Sequence, residues 1–382
     1  MHLFLLQCSS IFETFGGIQY YLDDFASLVT ELPRGKATVF APERPRAWRL
    51  SQRPYRVVPI PFRQNSGLLA KAQNRFSLRY LRTALKEVRA NRPDYLVATH
   101  VSLAPFAYLL SKLTHLPYLV VVYGVEAWGD LLPQDEWALQ RADGIISISQ
   151  WTRRILGERY PLQKIQIVPP TLAPQFESQR YQAKPAHSGV FRLLSVSRLS
   201  AQERYKGHDH VLQAIEILKK RPLPFSIQYA IQGNGDDLPR LQDLVRKKGL
   251  AEEVVFHPTV DQREDLLALY RQAHLFVLPS RFGKWDGVWR GEGFGIVYAE
   301  AACSSTPCLG YACGGVLDIL DDNKTGRLVP PDDTVALANA IESLGSDPEA
   351  LERFSRAAFE RVQSEFSRHA VRKKLSDCLA FF

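Results

Sequence analysis

The 382-residue sequence is poor in sulfur, with five cysteines and one methionine. The cysteines at positions 8, 303, 308, 313 and 378 are too few and too unevenly placed for a disulfide framework. A reducing, cytoplasmic compartment is therefore the simpler expectation. Long apolar runs are also lacking, and none approaches the ~20 residues that a membrane-spanning helix needs. We expect no transmembrane segment.

Low-complexity tracts and short-period repeats are absent as well. The hydrophobic fraction of 46% and the charged fraction of 23% are typical of soluble globular chains. They exclude a disordered tail and a collagen-like chain. At about 150 residues per domain, the length predicts two to three domains.

Acidic residues are scarce in one segment. From Arg49 to Arg92 the sequence has eleven Lys and Arg residues and a single acid, Glu87, so this segment alone carries +10 in a chain of net charge +8. Such a segment suits an anionic partner, whether a lipid headgroup, a phosphate-bearing substrate or nucleic acid. No recognised nucleic-acid module accompanies the charge, and we expect no nucleic-acid function.

Residues 74–91 read as a basic amphipathic helix, with apolar residues near helical spacing and five cations alongside. Two interpretations are open. The helix docks on an anionic membrane surface, where each basic residue is worth about 1 kcal/mol, or it packs on the core and leaves a solvated basic face.

Short apolar runs alternate with helical patterns along the whole chain, which predicts βαβ units and parallel sheets. Residues 172–188 lack apolar periodicity and are a candidate linker. We therefore predict a Rossmann-like domain at 1–175, a second at 185–362, and a C-terminal helix at 363–382 that can pack back on the first domain.

Ligands of such sheets bind beyond the carboxyl ends of the strands, so two facing domains suit a two-substrate reaction. The predicted strands are Leu3–Leu6, Ala37–Phe40, Arg56–Pro59, Tyr95–Ala98, Tyr118–Val122, Gly144–Ile148, Ile165–Val168, Arg192–Ser197, Phe225–Gln232, Val254–Phe256, Leu275–Leu278 and Pro307–Leu309.

The segment GEGFGIVYAE, residues 291–300, is the most informative one for chemistry. Its alternating glycines precede an apolar helical stretch, where backbone can approach a ligand and free N–H groups can bind phosphate. Glu300 falls about one and a half turns into that helix, where its carboxylate can accept hydrogen bonds from a ribose diol. Glu292 lies in the preceding loop. The candidate ligand contacts here are Glu292, Gly293, Phe294, Gly295 and Glu300.

Two cations flank a polar loop after the strand that ends at Ser197. Arg198 supplies a planar fork of donors and Lys206 a point charge, a pair suited to a diphosphate leaving group. Two further glycine pairs follow strands: Gly16-Gly17 and Gly233-Asn-Gly235. Each can expose backbone N–H groups to a ligand, although neither is a complete dinucleotide fingerprint.

Together these segments resemble the retaining glycosyltransferases of family 4, which have the GT-B fold. Glu292 and Glu300 have the spacing of that family's E-x7-E motif. The residues similar to its other motifs are Arg198, Lys206-Gly207, Phe15-Gly16-Gly17-Ile18, Gly314-Gly315 and Lys324–Val329.

The resemblance implies an activated nucleotide sugar, linked to GDP, UDP or ADP, held mostly by the C-terminal domain. Glu300 would bind the ribose hydroxyls and Glu292 a hydroxyl of the transferred sugar. Arg198 and Lys206 would stabilise the departing diphosphate, with help from the Gly16-Gly17 amides. Because the sequence has no Asp-x-Asp pair of metal-ligand character at a strand end, we expect no metal and no other cofactor. The acceptor would be a glycan or a lipid-linked glycan.

The sequence departs from the family where many members carry a His-Gly pair after a strand. Tyr123-Gly124 stands at this position, and tyrosine does not exchange a proton near neutral pH as histidine does. Glu126 and His100, each near a predicted strand end, are the candidate replacements. Trp285 and Trp289 precede Gly291 and either stack on a sugar or base or belong to an exposed loop.

The prediction is therefore an enzyme that transfers a hexose of mannose or glucose type with retention of configuration, cytoplasmic or peripheral on the inner face of a membrane. Two alternatives stay open at this point. One is a sugar-nucleotide epimerase of the same fold, and the other is an inert scaffold that binds anionic membrane through Arg49–Arg92.

Overall fold

The computed structural model describes residues 1–7, 17–41, 53–60, 78–162, 164–184, 186–257 and 263–382. These residues form two compact units, one of Met1–Thr171 together with Arg368–Phe382 and one of Leu172–Ser367. The boundary at Leu172 coincides with the start of the predicted linker. Each unit has its own parallel sheet, which confirms the predicted fold class.

The first unit contains a seven-stranded sheet in the order β3-β2-β1-β4-β5-β6-β7, with parallel pairing throughout. Because helices cover both faces, the strands are apolar without alternation, and all five residues of Tyr118–Val122 are buried. The strands are β1 (His2–Leu6), β2 (Lys36–Ala41), β3 (Arg56–Pro59), β4 (Tyr95–Ala98), β5 (Tyr118–Val122), β6 (Gly144–Ser147) and β7 (Ile165–Ile167).

Helices of the first unit connect these strands and enclose its core. Tyr80 packs against Phe106 with ring centroids 4.6 Å apart, which joins the second and third helices over the sheet. Ser149 caps the fifth helix by accepting the N–H of Thr152 at 3.1 Å. The helices are α1 (Gly17–Thr30), α2 (Leu78–Asn91), α3 (Ala104–Thr114), α4 (Pro133–Leu139) and α5 (Gln150–Arg159), with a 3₁₀ turn at Val101–Leu103.

The basic segment is described in part, since residues 49–52 and 61–77 lie outside the described residues. Helix α2 buries Tyr80, Ala84 and Val88. Glu87 forms a bidentate pair with Arg56, at 2.6 and 3.0 Å. The exposed side of this helix and the residue after its end carry Arg79, Arg82, Lys86, Arg89 and Arg92. We call these five residues the α2 basic face.

The second unit contains a six-stranded parallel sheet in the order β10-β9-β8-β11-β14-β15. Its last strand was not among the predicted strands, because this edge strand begins with an arginine and has only two apolar residues. The strands are β8 (Val190–Val196), β9 (Ser226–Gln232), β10 (Val254–His257), β11 (Leu275–Val277), β14 (Cys308–Tyr311) and β15 (Arg327–Val329). The helices are α6 (Pro174–Glu177), α7 (His208–Leu218), α8 (Leu238–Lys247), α9 (Arg263–Gln272), α10 (Ile296–Cys303), α11 (Val316–Ile319), α12 (Thr334–Gly345) and α13 (Pro348–Phe366).

A short antiparallel hairpin of β12 (Gly283–Trp285) and β13 (Val288–Arg290) follows β11. Its two-residue turn has positive φ at Asp286 (51°) and Gly287 (76°), the conformation of a type I′ turn. From the sequence we expect a loop in this segment, with Trp285 and Trp289 either stacked on a ligand or exposed. The Asp-Gly pair between two Val/Trp-containing runs is a hairpin signal that this expectation overlooked.

The last helix, α14 (Arg368–Phe381), belongs to the first unit and packs on α1. Arg368 donates to Glu31 at 2.8 Å and to Ser27 at 2.9 Å, and it also pairs with Asp24. Apolar residues Val371, Leu375 and Leu379 are buried beneath these polar contacts. The C-terminal helix therefore completes the N-terminal unit.

Among the described residues, no helix is both long enough and apolar enough to cross a membrane. The four cysteines that the structure describes, Cys303, Cys308, Cys313 and Cys378, are buried and unpaired. Burial raises the pKa of each thiol, so these cysteines behave as packed core residues.

Candidate functional site

The strand order of the second unit marks one edge as a ligand site. Successive strands are added outward in one direction from β8 to β10 and in the other direction from β11 to β15, so the strand order reverses between β8 and β11. Ligands of open parallel sheets bind at the carboxyl ends of the strands at such a reversal. Arg198 follows β8, and Lys206 ends the 3₁₀ helix Ala201–Lys206 that comes next. Glu292 lies between β11 and α10, just after the β12–β13 hairpin. Residues more than eighty positions apart in sequence therefore meet at one edge of the sheet.

Lys206 and Glu292 form an ion pair between these two loops, with the Lys206 Nζ 2.7 Å from the Glu292 Oε2. The side chains are only 13% and 15% exposed. Burial by itself would lower the pKa of Lys206, but the Glu292 carboxylate, with Tyr205 and Glu203 nearby, outweighs this effect and raises the pKa above its ordinary value. Lys206 is therefore cationic at any physiological pH.

Arg198 lies at the end of β8 and is 65% exposed. Its Nε donates to the Glu203 Oε2 at 3.2 Å, and a second guanidinium nitrogen contacts Oε1 of the same carboxylate. This bidentate hydrogen bond raises the pKa of Arg198 further. Glu203 thus orients the guanidinium while leaving most of it accessible to an anion.

Gly233 and Gly235 bring the loop after β9 against the loop after β8. Both have φ near +154°. A Cβ on Gly233 would lie 1.9 Å from the Ser197 carbonyl oxygen, and one on Gly235 would lie 2.1 Å from that of Leu199. Since no larger residue fits, these glycines maintain the loop that carries Arg198. This structural role accompanies their predicted role in ligand binding.

Gly314 and Gly315 hold the Glu292 loop from its other side. The Gly315 N–H donates to the Glu292 carbonyl at 2.7 Å, and a Cβ on Gly315 would lie 2.4 Å from the Gly293 carbonyl oxygen. Gly295 then begins α10 with φ 86°. The backbone around Glu292 is thereby fixed by a close approach that requires glycine.

Glu300 lies on α10 and is half-buried. Its Oε2 accepts a hydrogen bond from the Tyr270 hydroxyl at 3.0 Å. Phe294, another predicted ligand contact, is 3% exposed and packs against Phe366 with ring centroids 5.2 Å apart. The Phe294 side chain is therefore used in the core of the unit, and only its backbone is available to a ligand.

The predicted residues of the first unit lie at the carboxyl ends of β4 and β5. Tyr123 is buried, and its hydroxyl donates to the Thr99 carbonyl at 3.0 Å. Glu126 accepts the Tyr123 N–H at 2.6 Å, and burial raises the pKa of the Glu126 carboxyl. The Tyr123 side chain thus contributes to the interior, in keeping with its poor suitability for proton exchange.

His100 precedes the 3₁₀ turn, and its Nδ1 accepts the Ser102 N–H at 3.2 Å. This contact places the proton of the neutral ring on Nε2. Gly17 is the first residue of α1, whereas Gly16 lies outside the described residues. His100 and Glu126 are the two predicted replacements for the family's histidine. His100 has an Nε2 that can donate a hydrogen bond, whereas the Glu126 carboxyl group already holds the loop after β5 through the Tyr123 N–H.

Several residues of the site were not predicted from the sequence. A buried polar chain runs beneath the Arg198 loop, from the Ser197 Oγ to the His208 Nε2 (2.7 Å) and from the His208 Nδ1 to the Tyr229 hydroxyl (3.1 Å). Burial lowers the pKa of His208 to about 4, so this ring is neutral. Histidine directly after Lys206-Gly207 was the available signal. The roles of Tyr229 and Tyr270 depend on contacts between distant segments.

The hairpin also contacts the Lys206 loop. The Arg281 N–H donates to the Tyr205 carbonyl at 2.7 Å, and the Arg290 guanidinium donates to the Gln202 carbonyl. Trp289 packs against Phe282, and Trp285 lies beneath the Arg281 guanidinium, 5.2 Å from it. Both tryptophans are half-buried through contacts within the hairpin segment.

Within the described part of the chain, no group of three or more His, Cys, Asp or Glu side chains could hold a metal ion. The charges at the carboxyl edge of β8 and β11 are instead two cations, each oriented by a carboxylate. This arrangement is chemically suited to bind a diphosphate directly.

Two parallel-sheet units, with cations and a Glu-bearing helix at the reversal of the second sheet, define an enzyme of the GT-B class. The model of the glycosyl transferases group 1 matches residues 178–361, and that of glycosyltransferase family 4 matches residues 15–175. The chain therefore belongs to the family 4, group 1 glycosyltransferases and is a glycosyltransferase. This assignment does not favour the epimerase and inert-scaffold alternatives.

Among curated proteins, the chain is 28% identical over 297 residues to a glycogen synthase of Mycobacterium tuberculosis, across 74% of this chain and 67% of that protein. It is 29% identical over 242 residues to a GDP-mannose-dependent alpha-(1-6)-phosphatidylinositol monomannoside mannosyltransferase of Mycolicibacterium smegmatis, across 59% of this chain and 60% of that enzyme.

Solved structures share the fold over nearly the whole chain. HepE of Anabaena, in complex with UDP, has a TM-score of 0.75 at 16% identity and full coverage of both chains. Sucrose-phosphate synthase of Thermosynechococcus elongatus has a TM-score of 0.78 at 18% identity, covering 100% of this chain and 98% of that one. At these identities the likeness concerns the fold.

Proposed function

We propose that this enzyme transfers a hexose from a nucleotide diphosphate sugar to a glycan or lipid-linked acceptor, with retention of configuration. The observation that carries the proposal is the Lys206–Glu292 pair at the reversal of the second sheet, 2.7 Å long and largely buried. The relatives support a donor of this kind. One of them is GDP-mannose-dependent by name, and HepE was solved with UDP and with UDP-glucose.

The second unit would bind the donor. Glu300 would accept hydrogen bonds from the ribose diol, and Glu292 would contact a hydroxyl of the transferred sugar. Arg198 and Lys206 would bind the diphosphate. Negative charge on the diphosphate grows as the bond to the sugar breaks, so fixed cations stabilise the transition state more than the ground state.

Retention follows from attack on the face that the leaving group vacates. The bond between the anomeric carbon and the diphosphate oxygen breaks, and the acceptor oxygen bonds to that carbon. The proton of the acceptor hydroxyl passes to a phosphate oxygen. No protein nucleophile takes part, and the two cations perform the charge stabilisation that a divalent metal would otherwise supply. The reaction is thus proposed to be metal-independent.

The first unit would bind the acceptor through the carboxyl ends of β4 and β5. His100, with its Nδ1 occupied by Ser102, would present an Nε2 donor to the acceptor. Glu126 would hold the loop after β5 through the Tyr123 N–H. His100→Ala is expected to raise the KM for the acceptor while leaving nucleotide affinity unchanged.

Thermal-shift binding against GDP, UDP and ADP and their sugars, with and without EDTA, tests the donor half of the proposal. A ligand at 100 times its Kd adds about 2.7 kcal/mol of apparent stability. We expect one nucleotide to stabilise the protein equally with and without EDTA, and Arg198→Ala to abolish the shift. The exposed Arg246→Ala on α8 is the matched control. A shift that requires a divalent metal would contradict metal independence, and the absence of any shift would contradict the proposal.

A further inference from the structure

Tyr270 contacts the carboxylate to which we assign ribose binding. Its hydroxyl donates to the Glu300 Oε2 at 3.0 Å, from the last turn of α9 to α10. The Tyr270 side chain is fully buried. This hydrogen bond joins a phenol in the interior to a carboxylate that is half-buried at the proposed ligand site. It favours one orientation of that carboxylate.

Both ends of Tyr270 are fixed by neighbours. Its ring lies between Phe176 and Phe276, with centroids 5.9 and 5.7 Å away. Its carbonyl accepts hydrogen bonds from the Lys184 Nζ at 2.9 Å and the Thr306 Oγ1 at 2.6 Å. The ring cannot follow Glu300 if that side chain rotates, so the Tyr270 hydroxyl favours the orientation in which the Glu300 Oε2 accepts its hydrogen bond.

We propose that Tyr270 is a positioning residue for nucleotide recognition, which orients the Glu300 carboxylate toward the 2′- and 3′-hydroxyls of the donor ribose. The inference rests on the proposed function. Tyr270 does not touch the ligand itself. Its hydroxyl fixes one carboxylate oxygen, and this lowers the rotamer entropy that Glu300 loses when the ribose diol binds.

The experiment compares Tyr270→Phe with wild type for binding of UDP and 2′-deoxy-UDP, and of GDP and 2′-deoxy-GDP, by calorimetry. Wild type is expected to prefer one ribonucleotide over its deoxy form. Tyr270→Phe is expected to reduce that preference about three- to tenfold, the usual weight of one hydrogen bond, with little change for the deoxynucleotide. Tyr311→Phe, which removes a hydroxyl 2.8 Å from the His210 Nδ1 in the same unit, is the matched control.

A reduced melting temperature with an unchanged ribose preference would overturn the inference, because a purely structural tyrosine weakens both nucleotides alike. If Tyr270→Phe does not fold, 4-fluorophenylalanine at position 270 fills the hydroxyl's volume without donating, and the same comparison decides. Glu300→Gln separates the two proposals. Loss of ribose preference in Glu300→Gln but not in Tyr270→Phe retains the donor assignment and overturns the role of Tyr270. Absence of nucleotide binding in wild type overturns both.

Discussion

At the scale of single residues, the Lys206–Glu292 pair affects the stability of the second unit as well as its proposed chemistry. The Lys206 and Glu292 side chains are largely withdrawn from water and bonded at 2.7 Å. Either charge left alone there would lose its hydration without the compensation of its partner. The pair therefore contributes to stability and function at once, and variants can separate the two contributions.

Lys206→Met and Glu292→Gln are each expected to lower the free energy of unfolding by about 2–3 kcal/mol, somewhat less than the ~3–5 kcal/mol for a fully buried pair. The double variant should recover part of that loss, because it leaves no isolated charge. The transferase activity of the double variant should stay at least a hundredfold below that of wild type. Urea unfolding and initial rates measure the two effects. Strictly additive losses of stability would argue against coupling between the side chains.

Lys184 is a buried cation of another kind. Its Nζ lies 2.9 Å from the Tyr270 carbonyl and 2.6 Å from the Thr306 hydroxyl. Burial lowers the pKa of Lys184 to about 7. Between this value and the ordinary 10.4 of lysine, the unfolded chain binds more protons than the folded one. The contribution of Lys184 to stability should therefore rise with pH across that window.

We expect Lys184→Met to remove a positive slope of up to about 1.4 kcal/mol per pH unit from the unfolding free energy between pH 7 and 8.5. Thiols of the unfolded chain also begin to ionise in this range, but they do so equally in wild type and variant, so the difference between the two slopes reports Lys184. Urea unfolding of wild type, Lys184→Met and the exposed Lys247→Met at pH 7, 7.8 and 8.5 measures the difference. Equal slopes in wild type and Lys184→Met would contradict the assigned pKa.

At the scale of elements, loops rather than strands determine the site, and glycines determine the loops. The loop after β9 can approach the loop after β8 only because Gly233 and Gly235 lack side chains. The same holds for Gly315 against Gly293. These close approaches help to place Arg198 and Glu292 at one edge of the sheet.

Gly235→Ala tests this constraint. Its φ of 154° and the 2.1 Å approach to the Leu199 carbonyl combine strain with a backbone clash. We expect a loss of about 3–4 kcal/mol of stability and weaker nucleotide binding. Gly249→Ala is the matched control, since its φ of 64° is strained but no atom lies within 4 Å of the added Cβ. It should lose only about 1–2 kcal/mol and no affinity. Equal losses of stability and affinity in the two variants would show that neighbouring atoms shift to relieve the clash at position 235.

The sequence predicts those elements whose signal is local. All seven strands of the first sheet and five of the six in the second are apolar runs between turn residues, and each was placed near its observed position. The three-residue β15 and the β12–β13 hairpin were missed. The first has only two apolar residues after an arginine, and the second has an Asp-Gly turn signal that the loop interpretation did not use.

The site was predictable as a set of residue types but not as a set of contacts. The spacing of Glu292 and Glu300 is legible in the sequence, whereas the pairing of Glu292 with Lys206, 86 positions away, is a tertiary property. The same is true of Tyr270 and Glu300. Phe294, predicted as a ligand contact, lies in the core because its ring packs against Phe366.

At the scale of the whole molecule, positive charge concentrates on the α2 basic face, defined above as Arg79, Arg82, Lys86, Arg89 and Arg92. The opposite side of the helix packs on the core through Tyr80, Ala84 and Val88. Five exposed cations thus lie on and just after a helix whose other side is packed, an arrangement that fits both the solvated-face and the membrane interpretations.

We expect the protein to co-sediment with vesicles containing anionic phosphatidylserine and to be released by 0.5 M salt, because exposed charges are screened within ~10 Å at 0.1 M. Reversing Arg79, Arg82 and Arg89 to Glu should reduce the bound fraction at least tenfold. Reversal of Arg246 and Lys247 on α8 is the control. Equal binding by both variants would leave only the solvated-face interpretation.

The return of α14 to the first unit has a consequence for biosynthesis. A ribosome delivers residues 1–171 first, but Asp24 and Glu31 of α1 meet their partner Arg368 only after the entire second unit has been made. One side of α1 in the N-terminal unit therefore stays uncovered until α14 has been made, although the second unit can already fold by then. Here the order of completion is the reverse of the order of synthesis, and a nascent chain stalled before residue 368 would offer that uncovered side to chaperones.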